Sequence, residues 1–339
     1  MINLLNNPTF DNERNVLNAD LFVSNLHNTL KAFGFNPKVT YNVYRLVTIY
    51  RISWNDDKDY NDIIEYNKEI ALALGVPKEE LKIDRISDNE IEIKVLNMKR
   101  DILTLKELLS MYKKDDKFKV ALGLDEEDRV IIFDFDKDKN LLVTGTSGSG
   151  KTNLFRNIIM NVLINYTDTK IIILDTQSIN YNDFANVCEV VNGKDDVIKK
   201  IKLLRREFEE RVKNGNRERI LVFIDEIYEM LEMDNSIDED INYLLSLGDK
   251  CNIHLIVSTD TLSNDDMVRI FTNNNTCKIS FYMTTRGEYN IFLSNIVNES
   301  LNNDGMYLDS DKNLSRVIIP LIGDDEIERV VNKIKEQKL

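Results

Sequence analysis

Residues Gly145 to Thr152 read Gly-Thr-Ser-Gly-Ser-Gly-Lys-Thr, a complete G-x-x-x-x-G-K-[ST] phosphate-binding loop. Gly145, Gly148 and Gly150 free the backbone to aim N–H groups at a phosphate, and Thr146, Ser147 and Ser149 complete the loop between them. Lys151 brings a positive charge to the outer phosphates, and Thr152 offers a hydroxyl to Mg²⁺. Further on, Ile220-Leu-Val-Phe-Ile224 runs directly into Asp225-Glu226. Asp225 is expected to hold the water shell of Mg²⁺, and Glu226 to orient and polarise an attacking water. An acid pair can also serve merely to favour a helix N-terminus. Downstream of a phosphate loop, and at the end of an apolar run, the catalytic reading is the stronger one. Phosphoryl transfer asks for positioning and charge stabilisation more than covalent chemistry, so these few residues could carry its core. ATP and Mg²⁺ are the cofactors they imply.

Such residues must be mounted on regular elements. Leu141-Leu142-Val143 is a short apolar run that reads as a buried strand leading into the loop. After the loop, Leu154, Ile158, Ile159, Val162 and Leu163 recur at helical spacing, so a phosphate would meet a helix N-terminus. From 115 to 339 apolar strands alternate with helical stretches, as in a mostly parallel α/β sheet. Strands are expected at 140–144, 170–174, 220–224, 253–257, 278–283 and 316–320, with a last helix from Glu326 to Lys335. Upstream, residues 1–18 read as a loose, Asn-rich lead-in and 19–114 as a small α+β domain. In that domain Leu21, Leu26, Leu30 and Phe33 predict a helix that stops near Gly34. Val39 to Ile52 reads as one long strand, and Ile63 to Leu74 as a helix ending at Gly75-Val76-Pro77. Residues 81–86 and 91–95 alternate with period two around Ser87-Asp88-Asn89, which predicts a hairpin.

The whole chain narrows the choices. No apolar run approaches the roughly 18 residues of a membrane span, and the polar N-terminus has no signal-peptide core, so no membrane insertion is expected. Three scattered cysteines without a C-x-x-C pair suit a reducing, cytoplasmic setting. His27 and His254 are the only histidines, which argues against a zinc site or a histidine-based triad. A formal net charge of −14 is unusual for a compact nucleic-acid binder, unless positive charge is confined to a surface or pore. One basic stretch stands out. Lys194 to Arg219 holds ten Lys/Arg against six Asp/Glu, and Val197, Ile201, Leu204, Phe208 and Val212 give it a packed helical face. Its charged side is either a solvated surface or one that faces DNA or a neighbouring subunit.

The loop and acid pair resemble those of the FtsK/SpoIIIE group of RecA-like DNA-pumping motors, and the resemblance extends over roughly residues 19–335. Leu26-His-Asn-Thr-Leu-Lys-Ala-Phe-Gly34 resembles the family's opening helix, and Ala71-Leu-Ala-Leu-Gly-Val-Pro77 its small-domain helix end. Val120-Ala-Leu-Gly-Leu124 is similar to the segment leading into the motor, and Cys251-Asn-Ile-His-Leu-Ile-Val-Ser-Thr259 to the sensor strand. Asp304-Gly-Met-Tyr-Leu308 is similar to a late strand. The family's membrane anchor and its winged-helix module that reads DNA polarity find no counterpart here. Three positions depart from the family pattern. Asp175-Thr176-Gln177 stands where Asp-Pro-Lys is usual, Thr259-Asp260-Thr261-Leu262 replaces Thr-Gln-Arg-Pro, and Ser236-Ile-Asp-Glu-Asp240 is acidic where the family is commonly basic.

The resemblance implies a RecA-like P-loop ATPase domain with a smaller N-terminal α+β domain, working as a homo-oligomeric ring, a hexamer. It implies ATP-driven translocation of double-stranded DNA by a motor that stands free or is recruited by another protein, in the service of a mobile element or phage. The different-class alternative is an ATPase that moves or remodels protein, as in related secretion motors; the acidic balance favours it. A ring ATPase also completes its site with an arginine from the neighbouring subunit. Arg269, Lys278 and Arg286 lie in the corresponding late region, and Arg286 is the preferred candidate.

Overall fold

The apolar runs that end in the chemistry-bearing residues form the middle of one eight-stranded sheet. The computed structural model describes all residues except 8–12, 56, 79–80, 98–100, 235, 263–267, 272–275, 284–291, 294–303 and 339. By contacts the chain divides into two compact units, one of 1–8, 103–125 and 130–339, the other of 9–102 and 126–129.

The smaller unit contains helix α1 (Glu13–Ala32) and strands β1 (Pro37–Val43) and β2 (Val47–Trp54). Two short helices follow, α2 (Tyr60–Ile64) and α3 (Asn67–Ala73), and then strands β3 (Lys82–Ser87) and β4 (Glu90–Leu96). The strands form one antiparallel sheet in the order β1-β2-β4-β3. Alternation along β2 and β4 turns Tyr50, Ile52, Trp54, Ile91 and Ile93 into a core with Leu26 and Leu30 of α1, Ile63 and Ile70. The expected hairpin is β3–β4. The long strand expected over 39–52 is instead a second hairpin, because Asn97 supplies from afar what the turn lacks locally. The Asn97 side-chain amide donates to the carbonyls of Tyr44 and Arg45 (2.6 and 3.3 Å), and its backbone N–H donates to Leu46 O (2.9 Å). The single helix expected over 63–74 is broken after Ile64, with an N–H to carbonyl turn from Tyr66 to Ile63 between the two pieces.

The larger unit starts with Ile2–Leu4, a single 3₁₀ turn, and not with a loose lead-in. Leu5 is buried in the same core as Leu105 and Leu109, and the Asn6 N–H donates to the Glu326 carboxylate (2.8 Å). Helix α4 (Leu105–Met111) likewise packs here, ahead of the boundary expected at residue 115. A two-stranded antiparallel ribbon, β5 (Lys119–Leu124) and β6 (Val130–Asp134), and the short helix α5 (Phe135–Asp138) precede the main sheet.

The main sheet is assembled from β7 (Leu141–Thr144), β8 (Thr169–Asp175), β9 (Glu189–Asn192), β10 (Arg219–Asp225) and β11 (Ile253–Thr259). It is completed by β12 (Cys277–Ser280), β13 (Gly305–Leu308) and β14 (Leu314–Val317). Their order is β14-β13-β12-β7-β11-β10-β8-β9. The six from β12 to β9 run parallel, and β13 and β14 add an antiparallel edge. Alternate residues feed opposite faces. Leu141, Val143, Ile171, Ile173, Leu221 and Phe223 pack against α6 (Lys151–Asn165) and α10 (Asp324–Lys338). Leu142, Ile172, Leu174, Ile220, Val222 and Ile224 pack on the other face against α7 (Lys194–Asn214), α8 (Tyr228–Met233) and α9 (Ile237–Leu247). Strands covered on both faces need apolar residues throughout, and β7 and β11 are buried at every position. The strand expected over 278–283 ends at Ser280, because the Tyr282 carbonyl is drawn to the phosphate loop, where it accepts the Thr146 N–H (2.9 Å).

Candidate nucleotide site

Parallel pairing of β7, β11 and β10 as neighbours brings three C-terminal strand ends side by side, the usual ligand edge of such sheets. The loop Gly145–Thr152 leaves β7, Asp225 and Glu226 end β10, and Thr259 ends β11 between them. Register keeps the ends level, with Thr144 opposite Thr259 and Ile224 opposite Val257.

The loop is tight at its first glycine. A Cβ on Gly145 would lie 2.5 Å from Ser149 Oγ and 2.7 Å from Phe281 Cβ, and its φ of +152° is a value that L side chains rarely adopt. Ser149 Oγ is buried inside the loop and has no hydrogen-bond partner. Gly150, at the N-cap of α6, carries no side chain to cap the first helical N–H groups, which leaves a polar N-terminus suited to an anion. Lys151 is buried. Its ammonium donates to the carbonyls of Gly145 (2.5 Å) and Thr146 (3.2 Å) and lies 3.8 Å from Glu226 Oε2.

Both acids of the pair are buried and held by donors. Asp225 Oδ1 accepts from Ser258 Oγ (2.6 Å) and Oδ2 from the Tyr181 hydroxyl (2.8 Å). Burial pushes the Asp225 carboxyl above its ordinary pKa, against the pull of those two donors and of Lys151. Tyr181 is pushed well above its ordinary value by burial and by Asp225, so it remains a neutral donor. Glu226 takes a left-handed backbone (φ +60°), which costs a side-chain-bearing residue about 1–2 kcal/mol. That turn aims its carboxylate at the end of β11, where Oε1 accepts the Asp260 N–H (3.0 Å) and the Thr259 hydroxyl (3.5 Å). Burial raises the Glu226 pKa to about 8 despite the Asp260 N–H and Lys151. A carboxyl tuned toward neutrality suits general-base work at neutral pH.

Thr152 acts on the same Tyr181 phenol that donates to Asp225, pulling its pKa down against the effect of burial. Thr152 and Asp225 thus both influence one phenol. Hard oxygen donors, few in number, match Mg²⁺, which takes one or two protein ligands and fills its shell with water and phosphate. Among the described residues no cluster of three or more His, Cys, Asp or Glu forms an all-protein metal cage.

The loop and acid pair expected from sequence thus meet at one edge. Arg286 lies outside the described residues. Of the other two candidates for a shared arginine or lysine, Arg269 pairs with Asp238, and Lys278 is buried with its ammonium on Phe292 O (2.9 Å). His254 is a packed histidine, with Nδ1 on the Lys139 carbonyl (2.8 Å). Sequence reasoning missed Thr176, Tyr181 and Ser258. The Thr176 hydroxyl donates to the carbonyls of Asp225 (3.2 Å) and Glu226 (3.4 Å), a role proline could not fill. At the end of β11 it is the backbone N–H of residue 260 that grips Glu226, so an aspartate there leaves that grip intact.

The FtsK/SpoIIIE family model matches residues 105–273. That stretch is a domain of this family. DNA translocase FtsK of Staphylococcus aureus is 25% identical over 92% of this chain and 45% of its own length. The enzyme of the same name from Oceanobacillus iheyensis is 24% identical over 100% of this chain and 48% of its own. The chain thus spans about half the length of these curated relatives. Among solved structures, the pCW3 conjugation coupling protein TcpA with ATPγS superposes with a TM-score of 0.64 at 17% identity, covering 94% of this chain and 99% of that one. EssC (ATPases 2 and 3) of Geobacillus thermodenitrificans gives 0.57 at 16% identity, over 66% and 50%. Both share the P-loop ATPase fold of the family. No described helix is long and apolar enough to cross a membrane.

Helix α7 carries the basic stretch. Val197, Ile201, Leu204 and Phe208 are buried as expected, but Val212 is 57% exposed. The buried face continues at position 211, where the Arg211 guanidinium is bonded to Glu207 (2.9 Å) and to the Glu218 carbonyl (2.5 Å). Several of its cations have partners in the chain: Lys199 with Asp196, Lys200 with Glu189, Lys202 with Asp234, and Arg205 with Glu209 and Asp240.

Proposed function

We propose that this chain is the ATP-hydrolysing motor of a DNA translocase, assembled as a ring of identical subunits, a hexamer by family resemblance, and working in the cytoplasm. The observation that carries the reading is the convergence of phosphate loop, acid pair and sensor strand on one sheet edge. The loop and the start of α6 cradle the phosphates, and Lys151 turns from the loop carbonyls to the outer ones. Thr152 and Asp225 would hold Mg²⁺, which would neutralise phosphate charge. Glu226, steadied by Asp260 N–H, orients the attacking water and takes its proton. Arg286 of the neighbouring subunit is the candidate that completes the site. Relatives named DNA translocase match along 92% of the chain, which supports duplex DNA as cargo.

One observation favours protein as cargo instead. The net charge is −14, and the cations named on α7 are engaged with carboxylates of the same chain. The two readings separate in an ATPase titration with duplex DNA at low and moderate salt. A DNA motor is stimulated, and the stimulation falls steeply as salt rises, because its grip comes from phosphate contacts. Absence of both stimulation and binding at either salt would sink the DNA reading and leave the ATPase in place.

A further inference from the structure

Tyr181 is fully buried, yet its only polar atom faces the groups assigned to the metal. Its hydroxyl donates to Asp225 Oδ2 at 2.8 Å. Ser258 occupies the other carboxylate oxygen at 2.6 Å, so the two donors between them fix the plane of the Asp225 carboxylate. The phenol has a stiff mount. The Asp175 carboxylate accepts the N–H groups of Gln177 (3.1 Å), Ser178 (3.1 Å) and Asn180 (2.9 Å), which winds the segment after β8 into a closed loop. On its far side the 3₁₀ turn Asn182–Phe184 drives Phe184 into the core. A side chain so anchored has no ordering entropy left to lose when it orients a neighbour.

We infer that Tyr181 is a positioning residue for metal binding: its hydroxyl, together with that of Ser258, holds the Asp225 carboxylate in the orientation that Mg²⁺ needs. Outer partners that orient a ligand typically change metal affinity by about 10–100-fold when removed. The inference rests on the ATPase reading, and its test distinguishes the two.

Tyr181→Phe keeps the ring and its packing and removes only the hydroxyl. Mn²⁺ binding by the full chain is followed by its paramagnetic resonance signal in the presence of ATPγS, with ATPγS binding in EDTA measured in parallel. Tyr112→Phe, which removes a phenol bonded to the Lys119 carbonyl, serves as a control for loss of a buried hydroxyl alone. The expected result is Mn²⁺ affinity about tenfold lower in Tyr181→Phe, with metal-free ATPγS affinity unchanged and Tyr112→Phe behaving as wild type. The Mg²⁺ concentration for half-maximal hydrolysis should rise by the same factor. Equal Mn²⁺ affinity in wild type and Tyr181→Phe overturns the inference while the ATPase reading stands. A wild-type chain that binds neither ATPγS nor Mn²⁺ with it overturns both.

Discussion

Lys151, Asp225 and Glu226 divide the work of one site by where their charges lie. Lys151→Ala should abolish productive ATP binding, because the charge it brings to the outer phosphates is lost. Glu226→Gln should bind ATP normally and hydrolyse it about 100-fold more slowly or worse, the usual loss with a general base. Equilibrium binding and steady-state turnover separate the two effects, and near-normal turnover in Glu226→Gln would refute its role. The same residue makes stability depend on pH. Its folded pKa of about 8 lies above its ordinary 4.5, so between those values the folded chain keeps a proton that the unfolded chain has lost. Stability from this group is therefore full below about pH 4.5 and declines as pH rises to about 8. In the nucleotide-free protein Glu226→Gln should melt several degrees above wild type at pH 8.5, with the gap closing toward pH 5. An equal gap at both values would contradict the burial of an ionisable Glu226. The loop and acid pair were legible from the sequence because their partners are neighbours or a known spacing apart. Tyr181 and Ser258 were not, since each meets Asp225 through the fold from 44 and 33 residues away.

Elements read well where the pattern is local and poorly where a distant group decides. The central parallel strands β7, β8, β10 and β11 read as apolar runs, since both faces are covered, whereas the edge strand β9 (Glu189–Asn192) is only partly buried and carries no such run. The turn between β1 and β2 carries no Gly, Pro or Asn at Tyr44-Arg45-Leu46, so nothing local marked it. Asn97 marks it instead, and its Oδ1 also accepts the buried Thr48 hydroxyl (2.7 Å). Asn97→Ala should strand those groups and cost about 1–3 kcal/mol. Hydrogen exchange should speed up at residues 44–48, with ATPγS affinity unchanged. Unaltered exchange there would mean that the turn is held by other contacts. The lead-in expected from residue 1 is packed at its start for a related reason: Leu5 finds its core among Leu105 and Leu109, far along the chain. Composition alone could not reveal that packing.

At the scale of the whole molecule, the proposed ring requires subunits that share a site. If the neighbour's Arg286 completes it, ATP should favour the ring in light scattering, and Arg286→Ala should lower turnover far more than ATP binding. A monomer with full activity at every concentration would eliminate that model. The acidic chain must then concentrate whatever positive charge grips DNA at surfaces other than the carboxylate-paired cations of α7. Movement along duplex DNA is the central claim, and displacement of a third strand from a triplex-bearing duplex measures it directly. With ATP and Mg²⁺ the wild-type ring should release the third strand at low salt, and Glu226→Gln should not. Vigorous ATP hydrolysis by the assembled ring in the presence of duplex DNA, with the third strand left in place, would contradict the account.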